Sequence, residues 1–320
     1  MKVLVTGGCG FIGSNFIQHM VDSDLDLEFL NVDKQTYAGL GKNLKYMDVE
    51  DNSFVFDICD TKSMATIFES FQPEYVVNFA AESHVDRSIE SDKEFVQTNV
   101  EGTRTLLSLA RSFGVKKFVQ IGTDEIYGSL GREDPSSKES DSLITRSPYS
   151  ASKAAADLLA LSYFSTHGLP VVVTRSSNNY GPYQFPEKII PLFVTNLIQG
   201  KKVPLYGDGK NVRDWLYVGD NCEAILKVLM DGEPGRIYNI GGGNEISNVD
   251  LTGIILEEMG FRDEMIEYVE DRKGHDFRYS INCNLIKKEL DWKPKVDFKG
   301  GLKKTVEWYI KNEKWWGSLK

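Results

Sequence analysis

Tyr149 and Lys153 stand four residues apart in P-Y-S-A-S-K, at the head of a stretch that reads as helix, so their side chains share a face. A phenol beside an ammonium is a proton acceptor, because the positive charge lowers its pKa from a reference of about 10. Upstream, K-K-F-V-Q-I-G-T-D-E-I-Y-G carries a hydroxyl and two carboxyls in succession: Thr123, Asp124 and Glu125. A carboxylic acid beside a carboxylate is a proton donor and acceptor at one place. The stretch from Lys117 to Lys153 therefore holds an oxidation base and an acid/base pair suited to elimination. Either motif alone is weak. Tyr-x-x-x-Lys recurs in helices by chance, and Asp-Glu is ordinarily a solvated turn; their position at strand ends of one fold gives them weight.

That position makes a geometric demand. Phe118 to Ile121 reads as a short buried strand, punctuated by Gly122. In a continuous strand Asp124 and Glu125 would point to opposite faces. Both reach one substrate only if the chain leaves strand geometry at Gly122 or Thr123, most simply by starting a helical turn.

The supporting fold is announced at the N-terminus. Lys2 to Thr6 is a β-rich run, and G-G-C-G-F-I-G then places glycines at 7, 8, 10 and 13 before a helical apolar pattern at Phe16, Ile17 and Met20. Strand, G-x-G-x-x-G and helix together form a dinucleotide-binding turn, with the pyrophosphate at the helix N-terminus. A second strand, Glu28 to Val32, ends at Asp33, where a carboxylate accepts the adenosine ribose hydroxyls. Asp33 would repel a 2′-phosphate, which favours NAD over NADP, although Lys34 could neutralise such a phosphate.

The alternation continues with strands at Ser53–Phe56 and Tyr75–Phe79, and helices at Thr61–Phe71 (N-cap Thr61), Glu94–Phe113 and Tyr149–His167. With the strand Val171–Thr174 this predicts an α/β, Rossmann-type, doubly wound parallel sheet whose ligands collect at the carboxyl ends of the strands. Asp57 and Ile58 would edge the adenine. Phe11, Ile12, Thr36, Phe79, Ala80, Ala81, Ser83, Thr98 and Asn179 complete the candidate cofactor wall, with Gly7, Gly10, Gly13, Tyr149 and Lys153.

After Arg175 the composition shifts to polar loop, then to shorter elements. The predicted ones are a helix over 189–199, short strands around a turn in P-L-Y-G-D-G-K-N-V-R-D-W-L-Y-V, helices over 220–230 and 249–259, and a terminal amphipathic helix over 300–316. The expected division is an NAD-binding domain over 1–176, to which 212–240 returns. A smaller α/β substrate-binding domain takes 177–211 and 241–320.

A formal net charge of −10 argues against non-specific binding to nucleic acid or anionic membranes. No apolar run approaches the ~20 residues of a membrane span, and the N-terminus lacks a signal peptide's apolar region. Cys9, Cys59, Cys222 and Cys283 lie far apart, and His19, His84, His167 and His275 show no ligand spacing. A reduced, cytoplasmic protein without a structural metal is expected.

T-G-G-x-G-F-I-G-S with Asp33 and Tyr149-x-x-x-Lys153 resembles the extended short-chain dehydrogenase/reductase superfamily. More narrowly, A-A-E-S-H-V-D-R-S-I, T-D-E-I-Y-G, S-N-N-Y-G-P-Y-Q-F-P-E-K-I-I-P, V-R-D-W-L-Y-V and D-R-K-G-H-D-x-R-Y resemble the dTDP-glucose 4,6-dehydratase family over residues 6 to 279. T-D-E discriminates most, since the superfamily's sugar-nucleotide epimerases carry small residues in place of the two acids. Cys9, where alanine is usual, and a compact segment from Ser129 to Arg146 depart from the pattern.

The resemblance implies an NAD-dependent lyase converting dTDP-glucose to its 4-keto-6-deoxy product. Tyr149 would take the C4 hydroxyl proton, with Lys153 holding the nicotinamide ribose. Thr123 would polarise the ketone, Glu125 would remove the C5 proton, and protonated Asp124 would release the C6 hydroxyl as water. Lys188, Arg213 and Arg272 would hold the diphosphate. Asn178, Asn248 and His275 would bond phosphate, sugar or base; Tyr206 would pack on the pyrimidine, beside Ile189 and Pro204; Ser83 would touch substrate, with Glu82 and His84 supporting its loop. A dehydratase of another nucleotide sugar, a sugar-nucleotide 4-epimerase and a catalytically idle NAD-binding protein stand as alternatives. In the superfamily two helices matching 94–113 and 149–167 build a four-helix interface, so a homodimer is expected.

Overall fold

The computed structural model describes residues 1–271 and 274–320. Among these, β1 (Lys2–Thr6), β2 (Glu28–Asp33), β3 (Ser53–Val55), β4 (Tyr75–Asn78), β5 (Lys117–Thr123), β6 (Val171–Ser176) and a later strand, Ile237–Ile240, form one parallel sheet. Val3, Leu4 and Val5 are all fully buried, as a parallel strand covered on both faces requires. Phe16, Ile17 and Met20 of the helix Phe11–Val21 pack on one face, with Ile225 and Leu229 of the helix Val218–Asp231. Met64, Phe68, Leu106 and Ala160 pack on the other, from the helices Thr61–Phe71, Thr103–Ser112 and Pro148–His167. From β1 the chain adds β2 and β3 on one side, then crosses to β4, β5 and β6 on the other. The switch point therefore lies between the carboxyl ends of β1 and β4, where α/β sheets open a crevice.

The second half builds a lobe around Tyr180, Phe193, Trp215, Leu251, Tyr309, Trp315 and Trp316. Its strands are β7 (Asn178–Tyr180), β8 (Val203–Tyr206), β9 (Val212–Tyr217), β10 (Ile237–Ile240, the strand that joins the large sheet), β11 (Glu245–Ser247) and β12 (Ile266–Val269). Although joined by a tight turn, β8 and β9 do not pair: β8 lies parallel to β12, and β9 sits between β7 and β11. Strand periodicity explains why β9 can serve two cores. Trp215 enters the second core while its neighbour Leu216 faces the first.

The chain returns to the first core at Leu216 and along the helix Val218–Asp231, and the helix Asn284–Leu290 also packs there through Ile286, Leu290 and the following Trp292. The expected helix over 94–113 is continuous in space but relaxes to π geometry over Val96–Gly102. A Cβ on Gly102 would lie 2.4 Å from Ile58 Cδ1, so glycine is what allows that segment to lie against the strand-end loop. Asp60, not Thr61, caps the helix Thr61–Phe71, its carboxylate accepting from the amides of Lys62 and Ser63. The terminal helix breaks at Asn312 into Phe298–Lys311 and Glu313–Trp316. No helix among the described residues is long and apolar enough to cross a membrane.

Candidate active site

Two cavities of about 240 and 360 Å³ open at the switch point and abut on Gln184, Glu187 and Lys188. The first begins at the glycine turn. Gly7 has φ +75°, and a Cβ there would sit 2.5 Å from the Ala80 backbone nitrogen. A Cβ on Gly13 would sit 2.3 Å from the Gly7 carbonyl oxygen. No side chain caps the helix Phe11–Val21, so its first-turn amides have no intrahelical acceptor and face the cavity mouthed by Gly10, Phe11, Ile12 and Gly13. This is the donor set a pyrophosphate needs.

Asp33 borders the same cavity, its carboxylate held by the amides of Cys9 at 2.9 Å and Gln35 at 2.7 Å. Burial raises its pKa, and those two amides oppose the rise. Lys34 does not stand ready for a 2′-phosphate: its ammonium pairs with Asp57 at 2.7 Å. Thr36, Asp57, Ile58 and Thr98 line one wall, and Phe79, Ala80, Ala81 and Ser83 another. The chamber thus fits a dinucleotide with free ribose hydroxyls. Ser83 lies on this cavity and not on the second; Asn179 does the reverse.

Of the candidate reactive residues, Tyr149 and Lys153 line the first cavity and Glu125 the second, whereas Thr123 and Asp124 line neither. β5 runs through Thr123, which has extended φ and ψ of −144° and 150°, and Asp124–Tyr127 then forms a 3-10 turn capped by the Thr123 hydroxyl. The expected departure from strand geometry is present, so the strand alternation that would send the two acids to opposite faces ends at Thr123. Glu125 lines the second cavity. Asp124 is buried at 3 % exposure, and its Oδ2 has no hydrogen-bond partner among the described residues. Burial raises the Asp124 pKa well above the ordinary carboxyl range, and the negative charges of Glu125 and Asp214 add to it, against Arg213. These surroundings favour the neutral form of the Asp124 carboxyl beside Glu125.

Tyr149 and Lys153 occupy the first turns of the helix Pro148–His167, which starts with a Ser147–Ser150 capping box and proline at its first position. Both line the first cavity. The expected lowering of the Tyr149 pKa is not realised here. Burial raises it, the charge of Glu125 adds to the rise, and a hydrogen bond with Thr123 only partly opposes them. The Lys153 ammonium donates to the Ile121 carbonyl at 2.5 Å, and burial lowers its pKa to about 8, against the charge of Asp157.

Asn178, Lys188, Ile189, Pro204, Tyr206, Arg213, Asn248 and His275 come together around the second cavity. Asn178 Oδ1, Asn179 Oδ1 and Gln184 Oε1, on residues that line this cavity, are buried without a hydrogen-bond partner among the described residues. Arg213 stacks 4.2 Å from the Tyr279 ring centroid and donates to the Asp276 carbonyl at 3.0 Å, which fixes its guanidinium. His275 Nδ1 lies 2.7 Å from Asp271 Oδ1. Arg272 lies outside the described residues. Glu82 is held through its backbone by Asn99, at 2.8 and 3.0 Å, consistent with a supporting part.

Sequence reasoning missed Tyr37, Phe185 and Glu187 on the first cavity and Trp215 and Tyr279 on the second. Tyr279 and Glu187 fall inside motifs already singled out, D-R-K-G-H-D-x-R-Y and F-P-E-K, so their neighbours carried the only available signal.

The family described as GDP-mannose 4,6 dehydratase matches residues 4–305. A dTDP-glucose 4,6-dehydratase of Streptomyces antibioticus is 48 % identical over 328 residues, spanning 100 % of this chain and 96 % of that protein. The crystal structure of dTDP-glucose 4,6-dehydratase from Streptomyces venezuelae with NAD bound superposes with a TM-score of 0.96 at 48 % identity, covering 100 % of both chains. The enzyme of the same name from Bacillus anthracis, in complex with NAD, gives 0.93 at 49 % identity, again over 100 % of both chains.

Proposed function

The chain belongs to the dTDP-glucose 4,6-dehydratase family of the extended short-chain dehydrogenase/reductases, and from that membership we propose how its own residues carry the reaction. It is an NAD-dependent lyase that converts dTDP-glucose into dTDP-4-keto-6-deoxyglucose. Bound NAD supplies the acceptor for the C4 hydride and the donor that returns it to C6. The observation that carries the rest is the buried Asp124 next to Glu125 on one turn, where burial and the neighbouring charges favour the protonated carboxyl.

Tyr149 accepts the proton of the C4 hydroxyl. Burial and Glu125 work against a phenolate there, so the reaction needs positive charge nearby, and the Lys153 ammonium one helical turn on supplies it. Lys153 also holds the nicotinamide ribose. Thr123 donates to O4 and polarises the ketone. The ketone acidifies C5–H, and Glu125 removes that proton. Asp124 passes its proton to the C6 hydroxyl, which leaves as water, and a proton is restored at C5 as the hydride arrives at C6. An epimerase has no use for the last two residues.

Gly7, Gly10 and Gly13 cradle the pyrophosphate and Asp33 takes the ribose hydroxyls. Lys188 and Arg213, with Arg272, take the substrate diphosphate. Asn178, Asn248 and His275 bond its polar edges, and Tyr206 covers the base. Two domains share the work, the first reaching from residue 1 to 176 and regaining 216–240 and 284–292. Val96 and Leu158 are exposed apolar side chains on the paired helices, which supports a homodimer; light scattering checks it. Four free cysteines suit a reducing cytoplasm, and the product suits deoxysugar synthesis such as that of rhamnose.

The test is incubation of purified protein with dTDP-glucose and, separately, UDP-glucose, followed by proton NMR. The expected result is a new C6 methyl signal with dTDP-glucose. A C4 epimer, or unchanged sugar from both substrates, would refute the reading.

A further inference from the structure

A hydride taken from C4 has to be given back to the same sugar, so the dinucleotide must stay seated between the two halves of the cycle. That requirement rests on the dehydratase reading. Three chain segments meet where the two cavities join. Residues 34–41 follow β2 and carry Tyr37. They are tied to the cofactor cradle by the Leu40 amide, which donates to the Cys9 carbonyl at 2.9 Å, and by the Gln35 amide on Asp33. Residues 183–188 belong to the second lobe, where the Tyr309 hydroxyl of that core donates to the Gln184 carbonyl. The third segment follows β4 and carries His84 and Arg87.

Glu187 is the point at which the three are joined. Its Oε1 accepts from the Tyr37 hydroxyl at 3.0 Å, and its Oε2 lies 3.5 Å from His84 Nε2. The Tyr37 ring is gripped from both sides: Phe185 meets it edge-on at 5.4 Å, and the Arg87 guanidinium sits 3.6 Å from its centroid. The Glu187 side chain is 17 % exposed, so these contacts are largely shielded from water. Glu187 borders both cavities and Tyr37 borders the first, so their hydrogen bond bridges the two lobes beside the bound dinucleotide's chamber.

We propose that Glu187, through Tyr37 and His84, is the clasp that retains the dinucleotide in the first cavity throughout the cycle. Glu187 and Tyr37 are positioning residues: neither has a part in proton transfer at C4, C5 or C6. Breaking the clasp loosens the stretch around Tyr37, while the Leu40–Cys9 and Gln35–Asp33 hydrogen bonds still tie its two ends to the cradle.

The experiment loads the full chain with NAD and follows release after a chase with excess 1,N6-etheno-NAD, reading the fluorescence of the incoming analogue. Tyr37→Phe removes one hydrogen bond to a carboxylate and keeps both ring contacts; Glu187→Gln keeps the shape and removes the charge. Loss of a hydrogen bond to a charged group corresponds to roughly tenfold or more. Each variant is expected to release NAD at least about tenfold faster. The double variant should be no faster than Glu187→Gln alone, because both substitutions cut one link. Release within about twofold of the parent in both single variants overturns the clasp, as does a double variant whose acceleration is the product of the two singles. Should Glu187→Gln fail to fold by circular dichroism, Tyr37→Phe decides alone. Product formation by the parent chain is scored separately: its absence would remove the dehydratase reading, whereas a failed clasp leaves that reading standing.

Discussion

Replacing Asp124 with asparagine tests the acid and its environment together. The carboxyl is 3 % exposed, its Oδ2 lacks a partner among the described residues, and burial with Glu125 and Asp214 nearby raises its pKa well above the carboxyl range. Asparagine matches the neutral acid in size and keeps a donor, yet it cannot surrender a proton. Loss of a general acid costs about 10²–10⁴ in rate, so kcat for 4-keto-6-deoxy product should fall by that factor. The nicotinamide absorbance change of C4 oxidation should remain.

Stability supplies an independent magnitude. Unfolded Asp titrates at about 3.9. In the folded chain Asp124 keeps its proton above that pH, so unfolding releases a proton and stability falls as pH rises, by about 1.4 kcal/mol per unit. The fall ends at the raised folded pKa. Below the unfolded value both forms are neutral and Asp124→Asn should change little. Above it the variant, which has no proton to release, should gain on the parent with that slope. Urea unfolding of both proteins between pH 4 and 7, in matched salt, gives the difference. Parallel profiles, or an asparagine variant that forms product within tenfold of the parent, would refute the assignment of Asp124 as a neutral proton donor.

Gly13→Ala drives a Cβ to 2.3 Å from the Gly7 carbonyl oxygen, so the purified variant should carry no NAD, with a lowered melting temperature; full NAD content would contradict the cradle. Asp157→Ala strips the 3.0 Å partner from Arg175, which is 2 % exposed, and should cost about 3–5 kcal/mol in urea unfolding; a loss below about 1 kcal/mol would mean the guanidinium finds another acceptor. Glu125→Gln should stop exchange of C5 hydrogen with solvent, read by NMR in deuterium oxide, and continued exchange would assign that proton to another base.

What was legible in the chain followed from local rules. The glycine turn, Asp33 and the repeating strand–helix pattern announce a switch point, and the turn at Thr123 follows from the need to aim two adjacent acids one way. Long-range placements were not legible. Glu187 meets Tyr37 across 150 positions, and nothing in F-P-E-K says which segment it faces. The rise of the Tyr149 pKa required knowing that the phenol is buried with Glu125 close by, whereas helical spacing suggested only Lys153. Likewise β8 and β9 look like a hairpin until Trp215 and Leu216 are seen to serve different cores.

The most direct measurement follows one hydrogen. A mixture of dTDP-[4-²H]glucose and undeuterated dTDP-[¹³C₆]glucose is turned over in ordinary water, and the product methyl groups are read by mass spectrometry. Deuterium should appear at C6 only in the ¹²C product. Deuterium in the ¹³C methyl, or its loss to water, would contradict a hydride borrowed and returned within one pocket.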